Sequence, residues 1–171
     1  ALFSDGVKKM VKPLLGKKQF HLFTRQISDP KNYGGKRDMF KSLNQAMNLL
    51  KRKALIFIVS DFIGVEKEIA SYLKIVSHVH DVIGVMVRDP LDIALPKVNG
   101  QYVLQDPFND NTIYIDAHEY AKKYKDYNEK QIKLLRTIFH NSKAKLLELE
   151  TDKSFFNPTL KFLKQMGARW R

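Results

Sequence analysis

The sequence predicts an α/β domain built on a parallel sheet with helices on both faces, and three observations carry that expectation. Lys53 to Gly64 reads K-A-L-I-F-I-V-S-D-F-I-G, in which six consecutive apolar residues run into a serine and an aspartate. A run of this length, rich in Ile and Val and closed by polar residues, suits a buried central strand covered on both faces. Glu66 to Val79 then places Ile69, Leu73 and Val76 at helical spacing, and Asp81 to Val87 holds a second apolar run, V-I-G-V-M-V. Strand, helix and strand in this order give a parallel pair with a right-handed crossover.

The other elements follow from local signals. Ala1 to Phe3 is a short strand, Ser4-Asp5-Gly6 a turn, and the segment to Val11 its hairpin partner, closed by Pro13 and Gly16. Phe20, Phe23 and Ile27 set a helix over 18–27, which Asp29-Pro30 ends because the residue before proline is pushed out of the α region. After the loop Asn32-Tyr33-Gly34-Gly35, Asp38 is placed to cap a helix carrying Met39, Leu43, Met47 and Leu50 on one face. Beyond the second strand, Arg88-Asp89-Pro90 is a stop signal. Residues 101–104 and 112–115 flank a turn-rich stretch and predict an antiparallel hairpin near 101–116, added at a sheet edge. His118 to His140 reads as a helix with Tyr120, Tyr124, Tyr127, Ile132, Leu135 and Phe139 on its inner face; Leu146 to Leu149 is a last strand. Thr151 or Asp152 is placed to cap a final helix through Leu160 and Leu163, ended by Gly167.

Composition sets the class. A chain of 171 residues with 44% hydrophobic residues is the size of one domain with a real core. It has no cysteine, which excludes disulfides, thiolate metal sites and a cysteine nucleophile, and fits a reducing compartment. No apolar run reaches the roughly 18 residues of a membrane span, and no signal peptide opens the chain, so a cytoplasmic location is expected. The formal net charge of +12 favours nucleic acid, an anionic membrane surface or an acidic protein as partner. The basic residues are scattered, however, which fits a solvated surface as well.

Ligands in open α/β sheets bind beyond the carboxyl ends of the strands, so Ser60 and Asp61 stand where a site is expected. Asp61 there either coordinates a hard cation or caps its own loop through backbone amides. His78 and His80 form an H-x-H pair with no third ligand at a recognisable spacing, and read as surface histidines. Tyr114 to Tyr127, interleaved with Lys122, Lys123 and Lys125, either stack on bases or form an amphipathic helix face. Asp89, Asp92, Asp106 and Asp110 lie in proline-containing turns, and Gly34-Gly35 before Lys36-Arg37 is a weak anion-binding signal. No Walker loop, G-x-S-x-G elbow or H-E-x-x-H helix is present.

Several motifs in order carry a resemblance: A-L-F-S-D-G-V at the start, F-I-V-S-D-F at 57–62, H-D-V-I-G-V-M-V-R-D-P at 80–90, L-P at 95–96, Q-D-P at 105–107 and L-E-L-E-T-D at 147–152. Together they resemble the prokaryotic domain-of-unknown-function 58 family, which is related to von Willebrand factor A domains and typically encoded beside MoxR-type AAA ATPases. The resemblance implies a doubly wound, Rossmann-type sheet and a single von Willebrand A-like domain over 1–171 that lacks the family's first strand. It also implies a metal-ion-dependent adhesion site built from three loops. Only the third loop carries over, onto Asp61; Lys36 and Arg37 stand where the second loop has threonine, and the first loop falls before Ala1. No cofactor is therefore expected of this chain, with Mg²⁺ or Mn²⁺ expected of a complete relative. The edge exposed by the missing strand is expected to close by direct pairing of its neighbours or by a second copy in a homodimer.

The expected function is a non-enzymatic interaction module acting with a MoxR-type ATPase in protein assembly or maturation. Its binding rim would comprise Gly34, Gly35, Asp38, Ser60, Asp61 and Asp89. The alternatives are a basic nucleic-acid-binding domain and a metal-dependent phosphohydrolase using Asp61.

Overall fold

A computed structural model describes residues 1–13, 15–35, 38–64, 67–95, 100–105 and 111–167. Among them the chain divides into two compact units, Ala1–Leu55 with Glu66–Asp81 and Ile56–Val65 with Val82–Arg171.

The first unit opens on the expected hairpin, β1 (Leu2–Phe3) antiparallel to β2 (Val7–Lys9). Helix α1 (Lys17–Ile27) follows, and Asp29 caps a short 3-10 turn at Pro30–Asn32 rather than leaving a plain loop. Helix α2 (Met39–Met47) starts where the sequence places it, because the Asp38 carboxylate accepts a hydrogen bond from the Lys41 amide at 2.8 Å. It ends at Met47, short of the expected Leu50. Met39 and Leu43 are buried, as are Leu73 and Val76 of α3 (Lys67–Val79), and Phe40 meets Tyr72 edge to face at 5.2 Å. His80 lies just after α3, where its Nδ1 accepts from the Ala54 amide at 3.2 Å, while His78 sits exposed on the helix. The pair therefore forms no common face, and only His78 is the surface histidine expected.

The second unit holds the sheet. Strands β3 (Leu55–Ser60), β4 (Asp81–Arg88) and β7 (Lys145–Glu150) are ordered β3-β4-β7. β4 and β7 are parallel in unbroken register from Ile83 opposite Lys145 to Arg88 opposite Glu150. β3 runs the same way: the Asp81 amide donates to the Ala54 carbonyl at the start of the pair, and Arg88 reaches the Asp61 carbonyl at its end. The architecture is thus α/β of Rossmann type, a parallel three-stranded sheet flanked by helices.

One expectation is overturned here. Among the described residues β3 is an edge strand, and the central strand is β4, whose residues are mostly buried. On β3, Ile58 is buried while Leu55, Phe57 and Val59 are 40%, 50% and 58% exposed, so one face is open. A continuous apolar run lacks the alternation that distinguishes a strand covered on both faces from one covered on a single face. Among the described residues β1 pairs with β2 in a two-stranded sheet of their own.

After β4 comes a one-turn helix, α4 (Pro90–Ile93). Strands β5 (Gln101–Gln105) and β6 (Thr112–Asp116) form the predicted antiparallel hairpin, but as a sheet of their own rather than an addition to the main edge. The expected turn at its tip lies outside the described residues. Helix α5 (Ala117–Asn141) is 25 residues long and packs on β7 through buried Ile132, Leu135, Ile138 and Phe139. A two-pronged ion pair reinforces that packing: Arg136 Nε and Nη2 lie 2.7 and 2.8 Å from the two Glu148 carboxylate oxygens. The shared hydrogen bonds raise the Arg136 pKa. Helix α6 (Phe156–Gly167) begins later than expected, because Thr151 and Asp152 belong to the turn after β7 and do not cap it.

Candidate functional site

The carboxyl ends of β3 and β4 make a loop cluster that is held together by side chains reaching backbone. The chain leaves β3 through Ser60 and Asp61, and each side chain folds back on the turn. Ser60 Oγ accepts from the Phe62 amide at 3.1 Å, and Asp61 Oδ1 accepts from the Ile63 amide at 3.0 Å. Phe62 sits between them at φ 50°, in the left-handed region that a bulky side chain seldom occupies. Burial offsets that strain, for its ring meets Phe139 edge to face at 5.4 Å and 83°. The turn is thus fixed on one side by an aromatic pair and on the other by two side-chain-to-amide hydrogen bonds.

Arg88 supplies the third constraint. Its side chain is only 2% exposed at the end of β4, and Nε donates to the Asp61 carbonyl at 2.9 Å while Nη2 reaches the Phe62 carbonyl at 3.5 Å. No carboxylate among the described residues lies in an ion pair with it. A buried guanidinium that donates to backbone carbonyls fixes the path of the loop, since its planar fork has few alternative orientations. The next residue, Asp89, has both carboxylate oxygens engaged: Oδ1 accepts from the Leu91 amide at 2.9 Å and Oδ2 from the Thr151 hydroxyl at 3.0 Å. Asp92 completes a capping box by accepting from the Asp89 amide at 3.0 Å. This α4 cap is legible in Asp89-Pro90-Leu91-Asp92, although the stretch reads first as a strand terminator.

The expected rim residues therefore fall into two groups. Ser60, Asp61 and Asp89 share the loop cluster of the second unit, with Arg88 joining their two strands. Gly34, Gly35 and Asp38 belong to the first unit, where Asp38 caps α2 and its amide donates to the Ser4 carbonyl at 2.8 Å. Gly35 has φ 92°, and a Cβ there would stand 3.2 Å from Lys8 Nζ and 3.3 Å from Ser4 Oγ, so glycine suits both the backbone and the space. Lys8 in turn pairs with Asp5 at 2.6 Å, which lowers the Asp5 pKa. The anion contact expected of Lys36 and Arg37 lies outside the described residues, as do Asp106 and Asp110.

These residues do not fit a divalent cation. Asp61 is the one carboxylate among the described residues of the loop after β3, and its Oδ1 already holds the turn, as does the Ser60 hydroxyl. Among the described residues no three His, Asp or Glu side chains converge, whereas a hard cation needs several oxygen ligands. Calorimetric titration of Mg²⁺ or Mn²⁺ is accordingly expected to give no saturable heat with the chain or its Asp61→Asn variant. Saturable heat that disappears in the variant would contradict this.

Arg88, Phe62 and Thr151 hold the cluster together, yet no sequence motif marks them for that role. The available signal is Arg88 itself, a cation closing an apolar strand where burial is expected. No curated protein and no solved structure matches the chain. A family model covers residues 1–133, including β3, β4 and the loops that follow them. Those residues also carry most of the motifs on which the resemblance rests. The chain belongs to the family described as "Protein of unknown function DUF58".

Proposed function

We propose that this chain is a non-enzymatic protein-interaction module of the von Willebrand A-like type, whose contact face is the exposed loop cluster after β3 and β4. The observation that carries this reading is the immobilised Asp61 turn. Arg88, Phe62 and the Asp61 carboxylate itself hold in one conformation a loop whose Asp61 and Ile63 face solvent. A pre-ordered loop loses little conformational entropy on docking, which favours recognition by a rigid surface. The family resemblance suggests the partner, a MoxR-type AAA ATPase, and a role in assembling or maturing other proteins. Asp61 then presents a charge to the partner, and Ser60 and Asp89 brace the rim.

Titration of the purified chain with such an ATPase tests this. Wild type is expected to bind, and Asp61→Asn, which keeps the acceptor to Ile63 but removes the charge, is expected to weaken binding about tenfold, as loss of a well-placed interface charge does. Unchanged affinity in the variant would remove Asp61 from the contact face.

A further inference from the structure

The inner face of α5 is fixed by its packing, and this decides what its outer face offers. Ile132, Leu135, Ile138 and Phe139 are buried, the Tyr124 hydroxyl donates to the Leu91 carbonyl at 3.0 Å, and Asn128 reaches the Ile93 carbonyl at 3.4 Å. Tyr127 departs from the expected inner face: it is 58% exposed, at the margin of the packed surface. Lys123, four residues before it, and Lys130, three after, are its neighbours on the helix surface. Both are exposed, and neither makes an ion pair among the described residues, nor do Lys122 and Lys133. The acids on this stretch are Asp126 and Glu129, of which Glu129 is paired with Lys125 at 3.8 Å.

We propose that Lys123, Tyr127 and Lys130 form a binding site for single-stranded nucleic acid, in which one base stacks on the Tyr127 ring and the lysines neutralise the flanking phosphates. An aromatic ring with a cation on either side is the elementary unit of such sites. The two lysines stand about 10 Å apart along the helix axis, from seven residues at the helical rise. The chain's net charge of +12 adds a long-range attraction for any polyanion. A membrane surface fits less well, because an interfacial helix needs a broad apolar face and the outer surface here offers only Tyr127 and Leu134 among the described residues. A duplex fits less well because its bases are already stacked. This site is independent of the Asp61 loop, so either reading can fail alone.

The test is fluorescence anisotropy with a short labelled oligouridylate and the full chain, against a duplex of equal length and vesicles containing phosphatidylserine. Binding to the single strand is expected to fall linearly with salt on logarithmic axes. Lys123→Ala with Lys130→Ala is expected to reduce that slope by about 1.4, at about 0.7 for each of the two phosphates no longer neutralised. Tyr127→Ala is expected to weaken binding about tenfold while Tyr127→Phe retains it, as stacking requires. Because Tyr127 is exposed, both variants should fold, which circular dichroism checks. No binding, equal affinity for the duplex, preference for the vesicles, or an unchanged affinity in Tyr127→Ala would each overturn the proposal.

Discussion

Phe139→Ala is expected to destabilise the second unit by about 3–5 kcal/mol, a larger effect than any other substitution named for this chain. Phe139 is 1% exposed, and its ring lies beneath Gly84 of β4. A Cβ on Gly84 would stand 2.5 Å from Phe139 Cε1 and Cζ, so the absence of a side chain at Gly84 admits the ring. Truncation opens a cavity there and also removes the surface on which Phe62 rests, so the left-handed turn after β3 loses its compensation. Chemical denaturation followed by circular dichroism measures the loss. The complementary change, Gly84→Ala, overfills the same space and is expected to cost about 1–3 kcal/mol. Combined with Phe139→Leu it should cost less than the sum of the two single changes, because the shorter side chain makes room for the new methyl. Strict additivity would show that the ring does not occupy that position.

Arg88→Met is expected to cost about 2–3 kcal/mol, the value of leaving buried acceptors without a donor. The methionine fills much of the volume and removes a buried charge, which is a gain, but the Asp61 and Phe62 carbonyls are left without the guanidinium. Arg88→Lys should not restore stability, since a single ammonium cannot reproduce the planar fork. The loss should concentrate in the loop. Amide hydrogen exchange at Phe62 and Ile63 is expected to accelerate beyond the global change in stability, and exchange slowed or unchanged at these amides would refute the role given to Arg88.

Many of these elements are legible from local signals. Asp38 announces α2 because a carboxylate before an apolar period caps a helix, and Ser4-Asp5-Gly6 announces the first hairpin through turn chemistry. The strand, helix and strand of 55–88 show in the change of period. Sheet order does not, because the apolar runs of β3 and β4 look alike in sequence and only tertiary pairing makes one an edge and the other the centre. The late start of α6 is hidden for a related reason: Thr151 has the composition of a cap but donates its hydroxyl to Asp89, 62 positions away. Tyr127 shares the spacing of the inner-face tyrosines and lies just past the margin where packing stops. At the candidate site, Asp61 is legible as a residue at a strand's carboxyl end. What holds it is not, since Arg88, Phe62 and Phe139 converge from three elements with no sequence pattern between them.

The central claim, that the loops after β3 and β4 form the face that meets a protein partner, is tested most directly by amide chemical-shift mapping of the labelled chain as a MoxR-type ATPase is added. Perturbations clustered at Asp61, Ile63, Asp89 and Leu91 are the predicted result. Perturbations confined to α1, α5 or the β5–β6 hairpin, with the Asp61 loop unmoved, would contradict it.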